Sequence, residues 1–220
     1  MTFSLAGRCA RTGMMGGVIA TSSPAVGARC LHARAGLGVV LTQNRTDPRL
    51  GPRGLDLLVG GCSPAHTIAA LVASTPHAGW RQLAVLDAGG AAAHFSGDLI
   101  HSHHAGVVGV DCVGVGNILR NAKVPAAMVA TFEDGASLPL PERLLATLEA
   151  GDAAGGEILA LRSAALLIVH REPFAYVDLR VDVSDAPLAA LRAAWDAYAP
   201  EADEYVARAL GPDDCGPPSR

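Results

Sequence analysis

Residues 2–22 read TFSLAGRCARTGMMGGVIATS. Two apolar runs, 2–9 and 15–22, flank Arg11-Thr12-Gly13, which is a turn sequence. The stretch is therefore expected to fold as a β-hairpin, and the rest of the chain is read outward from it. Pro24 and Gly27 mark the next break. A third strand is expected from Ala33 to Thr42, where glycine inside the strand marks close backbone approach. Two helices follow. Leu55, Leu58 and Val59 share one face of the first. Ser63-Pro64 supplies an N-cap and an N1 proline for the second, which carries Ile68, Leu71 and Val72 as its apolar stripe.

The pattern then repeats. Strands are expected at 82–86 and 91–95, around the hairpin turn Asp87-Ala88-Gly89-Gly90, with another near 107–115. Helices are expected at 125–132 and 141–149, the latter with Leu144, Leu145 and Leu148 buried and Gly151 as its stop. Two more strands, 163–169 and 176–183, precede a helix opened by Asp185 and Pro187. Strands arrive as hairpins and helices as pairs, which is not a βαβ alternation. The expected fold class is α+β: a four-layer αββα sandwich of two antiparallel sheets. One domain, 1–210, is expected, with a flexible tail at 211–220.

Composition narrows the function. Half of the 220 residues are hydrophobic, 17% are charged and the formal net charge is -4. That excludes a disordered chain and gives no electrostatic footprint for nucleic acid. No apolar run reaches the roughly 18 residues of a membrane span. Arg8 and Arg11 interrupt the N-terminal apolar stretch, so an export signal is not expected and a cytoplasmic location is. The five cysteines are odd in number and contain no Cys-x-x-Cys pair, the usage of buried free thiols in a reducing compartment. Of seventeen basic residues only Lys123 is lysine, and it follows Ala122. A phosphate loop of the Gly-x-x-x-x-Gly-Lys type is thereby excluded, and Schiff-base chemistry has one exposed candidate.

Thr2 follows Met1, and a small second residue permits methionine removal. Thr2 would then present a hydroxyl nucleophile and an α-amine whose ordinary pKa, roughly 7.7–8, suits a base near neutrality. The same two residues also read simply as the start of a strand.

The surroundings carry a resemblance along nearly the whole chain. Its segments are Met1-Thr2-Phe3-Ser4 with Ala10-Arg11-Thr12-Gly13, then 22–30 (SSPAVGARC) and His32-Ala33-Arg34-Ala35-Gly36. Thr42-Gln43-Asn44, 47–52 (DPRLGP), Gly116-Asn117-Ile118-Leu119, Glu142-Arg143-Leu144-Leu145, Gly155-Gly156-Glu157 and 177–182 (VDLRVD) continue it. Through these segments the sequence resembles the bacterial domain-of-unknown-function family ten-twenty-eight, whose members look like N-terminal nucleophile hydrolases. The resemblance implies the same αββα sandwich, a catalytic Thr2 and a homo-oligomer. It also implies a cation near the nucleophile, for which Arg34 is the candidate; Arg34 reads equally as an ordinary edge-of-strand arginine.

Oxyanion donors are expected at Thr42-Gln43-Asn44 or Gly116-Asn117, and Ser22 and Ser23 are placed to line a pocket. Each of these also reads as a turn or cap. His101 and His103 would share one side of a strand and grip zinc, but no second ligand cluster accompanies them. His101, His103 and His104 are read as a solvated loop, with no metal and no cofactor expected. Gly61-Cys62-Ser63-Pro64-Ala65 lacks the last glycine of a nucleophile elbow, and its Ser63 is read as the N-cap. The expected activity is hydrolysis of amide bonds in small or peptide-like molecules. The alternative is a non-catalytic binding or assembly protein on the same fold.

Overall fold

The structure, a computed structural model, describes residues 1–215. The opening stretch forms β1 (Thr2–Arg8) and β2 (Met15–Thr21), paired antiparallel with Phe3 opposite Ala20 and Arg8 opposite Met15. A one-turn helix, α1 (Gly27–Cys30), leads into β3 (Leu31–Arg34) and β4 (Gly38–Asn44). The helices α2 (Leu50–Val59) and α3 (Pro64–Ser74) come next, then β5 (Arg81–Asp87) and β6 (Ala92–Ser96). They are followed by β7 (His103–Gly109), β8 (Cys112–Leu119), α4 (Val124–Asp134) and α5 (Leu140–Ala153). The chain closes with β9 (Ser163–Val169), β10 (Ala175–Val181), α6 (Pro187–Tyr198) and α7 (Ala202–Leu210).

The strands form a six-stranded sheet, β10-β9-β2-β1-β8-β7, and a four-stranded sheet, β3-β4-β5-β6, with every pairing antiparallel. Three apolar clusters separate four layers. Phe3, Leu5, Leu166 and Ile168 pack against Met128, Phe132, Leu144 and Leu148 of α4 and α5. Ala6, Ile19, Val113 and Val115 meet Val39, Leu41, Ala84 and Leu86 between the sheets. Val40, Leu83 and Val85 meet Leu55, Leu58, Ile68 and Leu71 of α2 and α3. The expected αββα sandwich of two antiparallel sheets is the observed architecture. Alternation explains it: neighbouring residues on β1 and β4 point to opposite faces, so each sheet buries both. Gly17 lets the sheets approach, since a Cβ there would stand 2.8 Å from Leu31 Cδ1.

Several elements differ from the sequence reading. The strand expected at 33–42 is two strands, because Gly36 has φ +67 and turns the chain between Arg34 and Gly38. The strand expected near 107–115 is likewise a hairpin. Gly109 pairs with Cys112, and Asp111 takes φ 57 in the turn. An apolar run on both sides of a two-residue turn reads as one strand. The helices α1 and α7 are additional. Of the tail expected at 211–220, residues 216–220 lie outside the described residues.

The Ser63 cap is formed. Its backbone is extended, its hydroxyl accepts from the His66 N–H at 3.3 Å, and Pro64 fills the first helical turn. Ser63→Ala should destabilise the fold by about 1 kcal/mol, measured by urea unfolding; an unchanged midpoint would show the cap to be idle.

Candidate functional site

β1 is central in the six-stranded sheet, and its first residue sits where the two sheets part. Thr2, Ser4 and Ala6 point toward the smaller sheet, while Phe3 and Leu5 point toward the helices. Register places polar residues of neighbouring strands beside Thr2 on the same face. Thr21 of β2 is opposite Ser163 of β9, and Thr2 is opposite Asn117 of β8, which is opposite His104 of β7. The sheet thus ends in a polar row rather than in more core. Thr2 is only 5% exposed. Its hydroxyl lies 3.3 Å from the Thr21 hydroxyl, and both donate to the Met1 carbonyl.

The smaller sheet answers with amides. Ser4 Oγ donates to Gln43 Oε1 at 2.8 Å, and Gln43 Nε2 donates to Gln82 Oε1 at 2.7 Å. Asn117 Nδ2 donates to the same Gln82 oxygen at 3.0 Å. Gln82 Nε2 lies within reach of the Ser96 hydroxyl at 2.9 Å, the Gly116 carbonyl at 2.9 Å and the Ala105 carbonyl at 3.2 Å. Asn117 Oδ1 is buried with no partner among the described residues.

An acid closes the other side. Glu157 Oε1 accepts from the Ser22 N–H at 2.9 Å, and Oε2 is buried without a partner. Burial pushes this carboxyl up to about 7, against the opposing pull of Ser22 and the N-terminal amine. Burial also lowers the amine of Met1, with Glu157 and Cys30 pulling the other way. Cys30 itself is raised, again chiefly by burial.

The sign of the Glu157 effect is fixed by its direction. Between its ordinary 4.5 and about 7, the folded chain holds a proton that the unfolded chain has released. The stabilisation is complete below that window and is lost as pH rises through it. Glu157→Gln should flatten that decline and leave the variant about 2 kcal/mol more stable above pH 8, the facing amine offsetting part of the carboxyl's effect. Unfolding midpoints at pH 5 and pH 8 check this; parallel curves would refute it.

The expected site residues divide. Thr2, Asn117 and Gln43 converge directly or through Gln82 and Ser4, and Gly116 contributes its carbonyl to the Gln82 amide. Ser22 meets them through Glu157, and its Oγ is 3.8 Å from Met1 Sδ. Ser23 instead gives its carbonyl to Ser163 Oγ at 2.6 Å. Thr42 faces the helices and bonds Thr46 at 3.0 Å. Asn44 has φ 69 and turns its amide to the Trp80 carbonyl. β3 begins only at Leu31, opposite Leu41, so the backbone of 42–44 has no strand on that side. Gly116 and Asn117 lie between two strands, and the Gly116 carbonyl also accepts from Gln82.

Arg34 does not join Thr2. It ends β3 rather than opening a strand, opposite Gly38 at the far end of β4. Six residues of extended strand, roughly 20 Å, separate that end from Asn44. Arg34 is half-exposed and pairs with Asp56 of α2 at 3.3 Å. The histidines diverge as well. His101 stacks edge-on against Trp80 at 5.5 Å, His103 is exposed, and His104 Nδ1 lies 3.1 Å from the Ser102 carbonyl. Among the described residues, no three His, Cys, Asp or Glu side chains are placed to share a metal ion. No described helix is long and apolar enough to cross a membrane.

Thr21, Gln82 and Glu157 are the functional neighbours that the sequence reading did not single out. Glu157 had a signal. Gly155 and Gly156 both take positive φ, 124 and 55, and turn the chain so that Glu157 bridges Leu119.

Comparison with known proteins adds the family. The crystal structure of a Silicibacter pomeroyi protein of family DUF1028 is similar, with TM-score 0.83 and 31% identity over 90% of this chain and 88% of that one. Anbu, an ancestral β-subunit, from Yersinia bercovieri aligns over 99% of both chains at TM-score 0.43 and 9% identity. No curated protein matches. A family model covers residues 2–191, and the chain accordingly belongs to the family of unknown function DUF1028.

Proposed function

We propose that the chain is an N-terminal nucleophile hydrolase of amide bonds in small or peptide-like molecules, with Thr2 as nucleophile once Met1 is removed. The observation that carries this is the setting of the Thr2 hydroxyl. It is buried at the head of the central strand, against Thr21 and beside the N-terminal amine and Glu157. The Thr2 oxygen would attack the substrate carbonyl while the freed α-amine takes its proton. The amine then gives that proton to the leaving nitrogen, and water cleaves the acyl-Thr2 ester.

Arg34 is too remote to hold the amine unprotonated; burial, which lowers the Met1 amine at this end of the sheet, would serve that purpose for the freed Thr2 amine. Desolvation disfavours the ammonium form directly. Glu157 would oppose this as a carboxylate, but its raised pKa keeps it neutral through mildly acidic pH. The backbone of 42–44, which β3 leaves unpaired on that side, would supply the oxyanion donors. The reading includes a cytoplasmic homo-oligomer needing no cofactor; light scattering tests the assembly.

A second reading, a non-catalytic binding or assembly protein, draws on Met1 itself. Its carbonyl is held by two hydroxyls and its side chain is half-buried. Intact mass of the protein from its native host separates the two. Loss of the methionine mass supports the hydrolase, and a retained Met1 refutes it.

A further inference from the structure

The opposite end of the six-stranded sheet holds a second group of side chains, unconnected to Thr2. There β1 ends, β7 turns into β8, and α4 gives way to α5. A cavity of about 430 Å³ is lined by Cys9, Arg11, Val110, Asp111, Glu133 and Arg143, among others. Arg143 comes from the first turn of α5 and is only 7% exposed. Its guanidinium lies 3.5 Å above the centre of the Phe132 ring, and Nε donates to the Phe132 carbonyl. Among the described residues, neither terminal nitrogen has a hydrogen-bond or ion-pair partner; both are left to the cavity. The residue is buried, so its terminal nitrogens meet solvent only at the cavity, and the arrangement offers an anion two parallel donors there.

The nearby carboxylates do not meet that demand. Asp111 is held by Arg8 at 2.6 Å, and Glu133 accepts from the Val110 N–H at 2.7 Å. Arg11 brings a second positive charge to the rim, anchored on the carbonyls of Ala136, Ser137 and Leu138. With Arg8 and Asp111 cancelling, Arg11 and Arg143 face Glu133 alone, which leaves one positive charge. That suits a monoanion and disfavours a phosphate dianion beside Glu133. The planar fork of arginine matches a carboxylate bidentately. Val110 and Cys9 offer apolar wall to a short carbon chain.

We propose that this cavity binds a small monocarboxylate on the Arg143 guanidinium, with the Cys9 sulfur beside the bound ligand. Cys9 makes the site testable. Burial raises its thiol, but hydrogen bonding from Thr12 and the charge of Arg11 outweigh that and leave it below the ordinary thiol value. In alkylation the sulfur displaces iodide and forms an S–CH₂ bond. Iodoacetate carries the carboxylate that the site would hold, and iodoacetamide is its neutral counterpart.

The two reagents are compared on the folded, full-length chain, with peptide mass mapping of Cys9 and of Cys62. Cys62 is partly exposed between α2 and α3 and serves as internal control. The iodoacetate-to-iodoacetamide rate ratio should be roughly tenfold higher at Cys9 than at Cys62, the size of a charge-assisted bidentate contact. Sodium acetate should slow Cys9 alkylation at constant ionic strength, and sodium chloride or acetamide should not. Arg143→Gln should erase the preference; if that variant does not fold, Arg11→Ala should reduce it, and acetate protection of the unaltered chain stands by itself. A Cys9 ratio no higher than that of Cys62, equal protection by acetamide, or a Cys9 inert to both reagents would overturn the proposal.

Discussion

Thr2→Ala is expected to abolish covalent capture of a β-lactone and to lower amide hydrolysis at least about a thousandfold, with the fold intact. A β-lactone opened by the Thr2 hydroxyl adds its full mass, so intact mass and peptide mapping read acylation without knowledge of the substrate. Hydrolysis would be followed on peptide p-nitroanilides and N-acyl amino acids. The lost group is the proposed nucleophile, and no neighbouring hydroxyl would replace it: Thr21 lies beside Thr2 but carries no free amine. Thr2→Ser keeps both hydroxyl and amine and should retain labelling. Thermal stability should fall only slightly, because the substitution removes one methyl and a hydroxyl whose contacts are the Met1 carbonyl and, across the hairpin, Thr21. Labelling that persists at residue 2–8 peptides of Thr2→Ala, or activity unchanged by it, would end the proposed chemistry.

The second large effect concerns Gln82, which is fully buried and ties the sheets together. Its oxygen accepts from Gln43 and Asn117, and its amide reaches Ser96, Ala105 and Gly116. Gln82→Leu matches volume but leaves two amide donors and at least one carbonyl without partners. Each such buried group costs about 1–3 kcal/mol, so the variant should lose about 4 kcal/mol. For a chain of this length that lowers Tm by roughly 12 °C. Urea unfolding and calorimetry measure it. A loss under about 1 kcal/mol would mean that water satisfies the abandoned groups and that the network does not fasten the sheets.

The layers were legible from element order, because strands arrive as hairpins and helices as pairs, and the apolar strands bury both faces. Leu5 and Ala6, or Val39 and Val40, are adjacent in sequence and lie in different cores. Ser63-Pro64 announced a helix start through local chemistry alone, and the cap is there. The turn at Asp111 was hidden because valine and glycine continue on both sides of it, and that at Gly36 because alanine, leucine and a second glycine flank it without an Asn, Asp or Pro. The site was legible only where strand register carries it. Thr2 and Asn117 meet as cross-strand neighbours, 115 positions apart in the sequence. Arg34 was misplaced because its strand direction depends on the hidden turn at Gly36: with the turn, Arg34 ends one strand at the edge far from Thr2. Glu157 lies outside any strand, and only its paired glycines marked it. Nothing in spacing or periodicity links Cys9 to Arg143, which come together through the packing of α5 on the sheet.

The central position of β1 has a consequence for timing during synthesis. Its two strand neighbours are β2, made at once, and β8, which ends at Leu119. At ribosomal speeds of about 5–20 residues per second, the first strand waits on the order of ten seconds for that partner. Throughout that interval Thr2 lacks its β8 partner, and a trimming peptidase would have access to the bond before it. Once β8 docks, the same bond lies under two hydroxyls at the end of a closed sheet. Maturation of the nucleophile would therefore be a race between a processing enzyme and the growing chain, decided before the protein is finished.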